Sequence, residues 1–293
     1  MKLTNQLGLP QPIVNAIAND DYTKGDCDFS TTQLLRPVRI NVLLKRHRKE
    51  ITEDVSDRIF ALFGKSMHKV LELGANPRYC MVEKRYSIDV EVGGVKFVVS
   101  GQFDLLDYLL DRETGVLSDY KLCSRYVVGD GVKPEWEQQM NINALILRSN
   151  GLPVKSLQII AIFRDWSKMR AAQKEDYPDK QIQVLPVKIW PEQKTLEFIQ
   201  YRIQTYILCE SFPPVCTPDE RWRKPDKWAV VKRGLKRATK LYETKEQANA
   251  AIKGSITYVV EPRPGEDVRC RYYCPVNKFC DYWQSQNEKI AAA

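Results

Sequence analysis

The sequence predicts an α/β fold built around a mixed β-sheet. Three observations lead to this prediction. Apolar residues recur at helical spacing between about residues 30 and 74. From residue 86 they alternate as in strands, and between residues 134 and 209 helical and strand patterns follow one another. A chain of 293 residues with 43% hydrophobic residues is also long enough to bury a sizeable core.

The N-terminal part is predicted to contain two helices. Residues 1–29 are polar and aperiodic, which indicates a lead-in without regular structure. Hydroxyl residues at 30–32 offer N-caps for a first helix that extends to about residue 49. A second helix is predicted from about Thr52 to Gly74, because its apolar residues lie on one helical face.

The central part is predicted to supply the sheet. Residues 86–92 alternate, Gly93 and Gly94 form a hairpin turn, and residues 95–100 return as a second strand. The other predicted elements are strands at 103–110 and 116–122 joined by a turn at 112–115, a helix at 134–149, strands at 157–163 and 182–189, and a helix at 192–209.

The composition changes after Pro213 and Pro214. A hairpin is predicted from residues 228–232 and 238–242, followed by a short helix at 244–253 and a cysteine-rich tail. We therefore predict a first domain at residues 1–211 and a C-terminal segment at residues 212–293 that packs on it.

The composition also limits the class of protein. A formal charge of +8 and a pI near 9.0 favour a polyanionic partner. No run of about 18 apolar residues is present, so we expect no membrane span. Residues 1–13 do not resemble a secretory signal, which predicts a cytoplasmic protein. In that compartment the eight cysteines are reduced, and a cluster of them indicates metal binding rather than disulfides.

Two aspartates and a lysine suggest metal chemistry. Asp104 and Asp119 lie on strands predicted to pair antiparallel, and Lys121 shares a strand face with Asp119. Two converging carboxylates offer the hard oxygen ligands that Mg²⁺ and Mn²⁺ prefer, and the lysine can orient water or stabilise charge on a phosphate. The alternative is a pair of surface aspartates with a solvated lysine, and the spacing alone leaves both open.

Two further polar residues lie near this motif in the predicted fold. His68, on the second helix, could face the carboxylates as an additional metal ligand or could be a partly buried helix histidine. Gln139 opens the helix that follows Lys121, where it could hold the substrate backbone or order the metal site. By itself it is also an ordinary helix-forming polar residue.

The order of these motifs resembles a known family. Gly64 to His68, Gly101 to Asp104, Asp119-Tyr-Lys121 and the helix from Gln139 resemble the RecB-like branch of the PD-(D/E)XK nucleases over about residues 30–210. That branch includes the CRISPR-associated nuclease with an iron–sulfur cluster and many phage-encoded exonucleases.

The resemblance implies a restriction-endonuclease-like sheet flanked by helices, and it implies roles for individual residues. His68, Asp104 and Asp119 would be metal ligands and Lys121 the catalytic lysine. Gln139 would open the glutamine motif of the family, which usually ends in tyrosine four residues later. That position is Asn143 here, which has neither an aromatic ring nor a hydroxyl.

The tail places Cys270, Cys274 and Cys280 within eleven residues. Three thiols need a fourth ligand to hold a [4Fe-4S] cluster or a zinc ion, and soft thiolate sites admit both. The related cluster-bearing proteins usually take that ligand from the first helix, where residues 35–38 here contain no cysteine. Cys216 is the preferred fourth ligand and Cys27 the second choice. We expect an iron–sulfur cluster with a structural role, with zinc or no metal as alternatives.

The hairpin is strongly basic. Nine basic residues and one acidic residue lie between Arg221 and Lys240. Cations for phosphates and aromatic faces for unstacked bases are the components of single-strand binding. The predicted DNA-binding residues are Trp228, Lys232, Arg233, Lys236 and Arg237. The alternative is a solvated ribbon whose lysines protect a sheet edge.

These observations predict a Mg²⁺- or Mn²⁺-dependent deoxyribonuclease that hydrolyses the phosphodiester bonds of DNA. The resemblance and the basic hairpin favour an exonuclease on single-stranded DNA or frayed duplex ends, in phage-type recombination, replication or DNA degradation. The alternatives are a non-catalytic DNA-binding or regulatory protein that keeps the fold, a structure-specific endonuclease, and a zinc-tethered partner-binding module. No protein partner is predicted.

Overall fold

The computed structural model describes residues 2–19, 25–108, 114–129 and 131–291. The chain divides into two units. The first, unit 1, comprises Met1–Arg36 and Thr52–Phe212, and the second, unit 2, comprises Pro37–Ile51 and Pro213–Ala293.

Both units contain strands and helices. Among the described residues the strands are β1 (Lys2–Thr4), β2 (Phe29–Ser30), β3 (Thr52–Asp54), β4 (Cys80–Val92), β5 (Val95–Asp107), β6 (Val116–Cys123), β7 (Ser156–Phe163), β8 (Ile182–Val187), β9 (Lys227–Lys232), β10 (Ala238–Tyr242) and β11 (Tyr258–Arg263). The helices are α1 (Gln11–Ala18), α2 (Thr31–Leu35), α3 (Val38–Arg46), α4 (Ile59–Leu73), α5 (Pro134–Ser149), α6 (Lys168–Ala171), α7 (Glu192–Cys209), α8 (Lys245–Ala251) and α9 (Asp281–Ala291).

Unit 1 is built on a six-stranded mixed sheet. Its order is β2-β5-β6-β7-β8, and β4 pairs with β5 in addition. β6 runs parallel to β7, whereas β4 with β5, β5 with β6, and β7 with β8 are antiparallel. The mixed sheet with flanking helices confirms the predicted α/β fold class.

The core of unit 1 lies between the sheet and α5. Met140, Ala144 and Leu147 of this helix pack against buried residues of β5, β6 and β7. Ile142 and Ile146 pack with Ile199 and Ile203 of α7 in a second apolar cluster. The predicted bounds of both helices, 134–149 and 192–209, are confirmed. They were predictable because each helix has its own apolar pattern and starts at a proline or just after one.

The N-terminal predictions were only partly correct. The predicted helix at 30–49 is two helices, because Arg36 precedes Pro37 and takes an extended conformation with φ −72° and ψ 140°. The predicted lead-in at residues 1–29 contains β1, α1 and β2. Thr52 begins the strand β3, which pairs in parallel with β1, and not a helix. Local polarity hid these short elements, which are stabilised by pairing with distant segments.

The predicted strands on either side of Gly101 are one strand. β5 runs without interruption from Val95 to Asp107, and the hairpin with β4 at Gly93 and Gly94 is confirmed. Residues 109–113 lie outside the described residues. They include the end of the predicted strand at 103–110 and the first half of the predicted turn at 112–115.

Unit 2 contains a three-stranded antiparallel sheet of order β10-β9-β11. The hairpin of β9 and β10 was predicted, but β11 was not. β11 contains Pro262 and is an edge strand, where the missing N–H of proline costs no backbone hydrogen bond between strands. Ile40 and Leu43 of α3 pack with Val276, Cys280 and Trp283 in an apolar cluster. No helix in the described part of the chain is both long and apolar enough to cross a bilayer.

Asp267 anchors the cysteine-rich segment of unit 2. The hydroxyl of Tyr282 donates to its Oδ2 at 2.8 Å, and the guanidinium groups of Arg221 and Arg223 lie 3.2 and 3.4 Å from its Oδ1. Burial alone would raise the pKa of Asp267, but the Tyr282 hydrogen bond and the Arg221 ion pair outweigh burial and lower it.

Replacing Asp267 by asparagine is expected to lower the free energy of unfolding at pH 7 by roughly 1–3 kcal/mol, because charged hydrogen-bond partners are lost. The lowered pKa means that this stabilisation is present above the unfolded-state pKa of about 3.9 and is lost as the pH falls through the folded-state value. Urea unfolding at pH 7 and pH 3 measures the difference, with the exposed Asp219→Asn as control. An equal loss of stability at both pH values would contradict the assignment.

Candidate active site

Asp104 and Asp119 lie where two paired strands separate. The ladder between β5 and β6 comprises three pairs and ends at Leu105 opposite Ser118. Beyond this pair β5 continues beside β4, while β6 continues beside β7. The next residues on the two diverging strands are Asp104 and Asp119. The fork between the strands therefore leaves room for side chains and a ligand between the two carboxylates.

Three potential metal ligands meet at this fork. His68, Glu83 and Asp104 each offer a ligand atom, and these atoms lie within 4.8 Å of one another. Nδ1 of His68 is 3.1 Å from Oε1 of Glu83 and 3.6 Å from Oδ1 of Asp104. α4 thus brings His68 to the carboxylate of Asp104, which is one of the two placements that the sequence left open.

Glu83 was not predicted from the sequence. Val82 lies opposite Leu105 and Lys84 opposite Phe103, so the register places Glu83 opposite Asp104. Its φ of 49° is in the left-handed region, which is unfavourable for a residue with a side chain and is concentrated at functional sites. Gln102 holds the carboxylate by donating to Oε2 at 2.8 Å. The available signal was a glutamate inside a strand, where this residue type is depleted.

Asp119, Lys121 and Gln139 form a closed polar trio beside this group. Nζ of Lys121 lies 2.6 Å from Oδ2 of Asp119 and donates to Oε1 of Gln139 at 3.0 Å. The amide of Gln139 donates in turn to Oδ1 of Asp119 at 2.9 Å. Asp119 is 3% exposed. The two strand residues share one face, as alternation predicts, and α5 brings Gln139 onto both.

The electrostatics of the fork favour a cation. Burial, followed by repulsion from Asp119, raises the pKa of Asp104 to about 7. The hydrogen bond with Glu83 is the main cause of the raised pKa of His68. Oδ2 of Asp119 is buried, and its close contact among the described residues is the ion pair with Nζ of Lys121. Crowded carboxylates with an imidazole fit a hard divalent cation.

Asn143 has a structural position instead of the tyrosine seen in related motifs. Its Oδ1 accepts from the hydroxyl of Thr31 at 3.0 Å, and its amide donates to the carbonyl of Gln102 at 3.2 Å. Gly101 passes directly beneath it, and a Cβ on Gly101 would lie 2.4 Å from that Oδ1. Asn143 therefore joins α2 and α5 to the strand segment that leads into Asp104.

The predicted DNA-binding residues are only partly brought together. Lys232, Arg233, Lys236 and Arg237 are all exposed around the turn between β9 and β10. Trp228 lies at the far end of β9, opposite Tyr242, and is half-buried beneath Nζ of Lys245 at 5.3 Å. The four exposed cations are called the basic tip below.

The four predicted cluster cysteines meet in unit 2. Cys216, Cys270, Cys274 and Cys280 line one small cavity together with apolar residues of α3. Burial raises the pKa of the Cys216 thiol to about 11 and that of Cys270 to about 12. Nε of Arg39 donates to Sγ of Cys280 at 3.3 Å. The second-choice ligand, Cys27, lies in unit 1, where it accepts from the hydroxyl of Ser100 at 3.1 Å.

The sulfur atoms are spread around this cavity. Among the described residues, no three of the thiols lie within 4.8 Å of one another. A tetrahedral zinc site with Zn–S distances of about 2.3 Å holds its sulfurs roughly 3.8 Å apart. The spacing is therefore wider than one zinc ion requires.

Comparison with known proteins identifies the family of the chain. The family model of the PD-(D/E)XK nuclease superfamily matches residues 24–281. The chain belongs to the PD-(D/E)XK nuclease superfamily. Membership implies a metal-dependent nuclease with a nucleic acid as substrate, in agreement with the carboxylates, the imidazole and the lysine at the fork.

One solved structure similar to this superfamily member is "Crystal structure of SSO0001". It is 14% identical in sequence, with a TM-score of 0.47, and the match covers 66% of this chain and 83% of that chain. No curated protein matches the chain in sequence.

Proposed function

We propose that this nuclease is a DNA exonuclease of the RecB-like branch that acts on single-stranded DNA or frayed duplex ends with Mg²⁺ or Mn²⁺. The observation that carries the proposal is the fork, where the His68–Glu83–Asp104 group faces the Asp119–Lys121–Gln139 trio. The order of the motifs supports the branch. A role in phage-type recombination, replication or DNA degradation belongs to the same proposal.

Each residue of the fork has a distinct role in this proposal. His68, Glu83 and Asp104 hold the cation, and the carboxylate of Asp119, now paired with Lys121, is a further candidate ligand. When bound, the cation polarises the scissile phosphate and acidifies the attacking water. The ammonium group of Lys121 stabilises the charge that develops on the phosphate oxygens. Gln139 positions that ammonium group by accepting a hydrogen bond from it through Oε1 while its amide N–H donates to Asp119.

A cleavage assay tests this function. End-labelled single-stranded and duplex DNA are incubated with Mg²⁺ or Mn²⁺ and wild type, Asp104→Asn or Asp119→Ala, beside circular single-stranded DNA. The proposal expects linear DNA to shorten from an end only with wild type, and circular DNA to persist. Equal degradation by all three proteins would overturn the site. Cleavage of the circle would indicate an endonuclease, and binding without cleavage would indicate a regulatory protein.

Glu83→Gln is expected to weaken Mn²⁺ binding by about 10- to 100-fold, because a charged oxygen donor becomes a neutral amide. Isothermal titration calorimetry with Mn²⁺ measures the change. Glu72→Gln is the matched control, since Glu72 lies on α4 one turn beyond His68 but outside the ligand group. Equal affinities of wild type and Glu83→Gln would remove Glu83 from the ligand set.

The basic tip is proposed to bind the DNA backbone. Replacing Lys232, Arg233, Lys236 and Arg237 by alanine is expected to reduce the slope of log affinity against log salt by about 0.7 for each lost contact with a phosphate of single-stranded DNA. Fluorescence anisotropy at several salt concentrations measures the slope. The control variant removes four other exposed cations, Lys155, Lys168, Arg170 and Lys174. If the basic-tip variant and the control variant had the same slope of log affinity against log salt, the basic tip would not bind DNA and would serve solubility alone.

For the four cysteines we propose a [4Fe-4S] cluster, with zinc as the alternative. The convergence of the four thiols on one cavity supports a bound metal, and the resemblance of the tail to that of cluster-bearing nucleases favours the cluster. The guanidinium of Arg39 beside Cys280 and Asp281 offsets part of the thiolate charge.

Metal analysis and visible absorbance of anaerobically purified protein test the cluster. Cys216→Ser is expected to lose iron, while Cys27→Ser and Cys209→Ser retain it. Stoichiometric zinc without iron would overturn the cluster in favour of zinc. Loss of iron in Cys27→Ser but not in Cys216→Ser would move the fourth ligand to Cys27.

A further inference from the structure

Two cavities of different chemistry meet at the metal-ligand group. Both are lined by His68, Glu83 and Asp104, so each opens onto the group of candidate metal ligands. The larger has a volume of about 660 Å³ and is called the strand cleft. The smaller has a volume of about 340 Å³ and is called the Tyr79 pocket.

The strand cleft has the chemistry of a phosphate-binding groove. Its lining includes the cations Lys65, Lys69 and Arg85. Three hydroxyl residues line the same cleft; Ser30 and Thr31 are buried and already hydrogen-bonded, whereas Thr32 is exposed. Cations together with an exposed hydroxyl are groups that hold a nucleic acid backbone, and they do so without regard to base sequence.

The Tyr79 pocket has the opposite character. Its walls are formed mainly by Val70, Leu71, Val82, Leu105 and the rings of Tyr79 and Tyr120. Within the described part of the chain, none of the residues that line it is lysine or arginine, whereas Glu72 and Asp107 do line it. A second stretch of phosphates would meet carboxylates without cations there. A neutral, flat and largely apolar group fits this pocket, and its volume lies in the range of roughly 300–1,000 Å³ typical of small-molecule sites.

Both aromatic rings line the pocket next to the ligand group. Tyr120 lies between Asp119 and Lys121, its backbone N–H donates to Oδ2 of Asp104 at 2.7 Å, and its ring is perpendicular to that of His68 at 6.1 Å. Tyr79 is 41% exposed, and the guanidinium of Arg78 lies 5.6 Å from the centre of its ring. A base can therefore stack on the ring of Tyr79, where it shares the ring with the Arg78 guanidinium or displaces that contact.

We infer that the Tyr79 pocket binds one unpaired nucleobase next to the scissile phosphate, while the rest of the strand lies in the strand cleft. The inference rests on the proposed nuclease function and names its substrate as a strand with an unpaired terminal nucleotide. Because Lys65, Lys69 and Arg85 line only the strand cleft, the DNA backbone extends from the scissile phosphate into that cleft and not into the Tyr79 pocket. Hydrolysis then releases short products, predominantly mononucleotides.

Oligonucleotides with one abasic residue test the inference with wild-type protein. The abasic residue is placed at the terminal or at the fifth position from each end, and single-turnover cleavage is followed in Mn²⁺. The terminal abasic residue is expected to slow cleavage by about five-fold to 150-fold, the range that loss of one base–aromatic stack produces. The abasic residue at the fifth position is expected to have little effect. Equal rates for all substrates would overturn the inference without requiring any variant to fold.

Variants of Tyr79 provide the second arm. Tyr79→Ala is expected to slow cleavage of normal DNA by a similar factor and to abolish discrimination against the terminal abasic residue, whereas Tyr79→Phe retains both properties. Tyr126→Ala is the control, since Tyr126 is a 68% exposed tyrosine of unit 1 that does not line this pocket. Undiminished discrimination by Tyr79→Ala would overturn the base site.

Failure of the inference is distinguishable from failure of the proposed function. Cleavage that depends on Asp119 but ignores the terminal base would leave the nuclease intact and refute the pocket. Absence of cleavage from every substrate would refute the nuclease itself.

Discussion

Replacing Lys121 by alanine is expected to lower the single-turnover rate constant of DNA cleavage by about 10²- to 10³-fold, the usual cost of losing one charge-stabilising donor. The ammonium group is well oriented before substrate binds, because Asp119 and Gln139 both hold it. Its contribution is specific to the transition state, so DNA affinity is expected to stay close to that of wild type. Single-turnover kinetics and anisotropy on the same end-labelled strand measure the two quantities.

The same variant is expected to lose thermal stability in a way that depends on metal. Without Lys121 the carboxylate of Asp119, which is 3% exposed, has no cation beside it, and leaving a buried charge unpaired is costly. A divalent cation at the fork supplies the missing positive charge. The melting temperature should therefore fall most in EDTA and recover in Mn²⁺.

Lys155→Ala is the matched control for both measurements, since Lys155 is an exposed lysine of unit 1. Cleavage by Lys121→Ala within threefold of wild type would remove the lysine from the catalytic machinery. A fall in DNA affinity equal to the fall in rate would make it a binding residue instead.

Replacing Gly101 by alanine is expected to lower the free energy of unfolding by roughly 1–3 kcal/mol, because the new methyl group overpacks a filled region. The added Cβ would lie 2.4 Å from Oδ1 of Asn143 and 3.0 Å from both Cδ1 of Ile146 and Oγ1 of Thr31. These atoms cannot move away without cost, since all three residues are buried and Thr31 is hydrogen-bonded to Asn143. Urea unfolding measures the loss.

Two variants show whether the cause is steric. Gly64→Ala, in α4, adds a Cβ with no atom within 4 Å and is expected to stabilise the helix by up to about 1 kcal/mol. Gly101→Ala combined with Asn143→Ala is expected to lose less than the sum of the single losses, because the second change removes the atom that clashes. Additive losses, or a loss in Gly101→Ala no larger than that of an ordinary surface substitution, would contradict this explanation.

Much of the fold could be predicted because its elements have strong local patterns. α5 and α7 begin and end where predicted, and the hairpins at Gly93 and at the basic tip form at their glycine turns. The errors lie where local and distant interactions compete. Pro37 divides a helix that its apolar pattern would continue, and β11 contains a proline that only an edge strand tolerates.

The candidate site was predictable only in part for the same reason. His68 could be singled out because its place before Asp104 and Asp119 resembles the motif order of the nuclease family, and it does meet Asp104. Glu83 could not, since its role depends on a register with β5 and on a left-handed backbone. No sequence pattern separates Trp228 from the basic tip, but in the structure the two lie at opposite ends of β9.

The pairing of Asp119 with Lys121 on one strand face was determined by the sequence itself, because strand alternation is a local property of the backbone. The tertiary structure alone decided what surrounds that pair. The ladder between β5 and β6 ends after three pairs, and this opening admits His68, Glu83 and Gln139 from three other elements. Where a ladder stops depends on the competing partners of each strand, which lie far away in the chain. For that reason the motif indicates the chemistry, and the fold determines the ligand set.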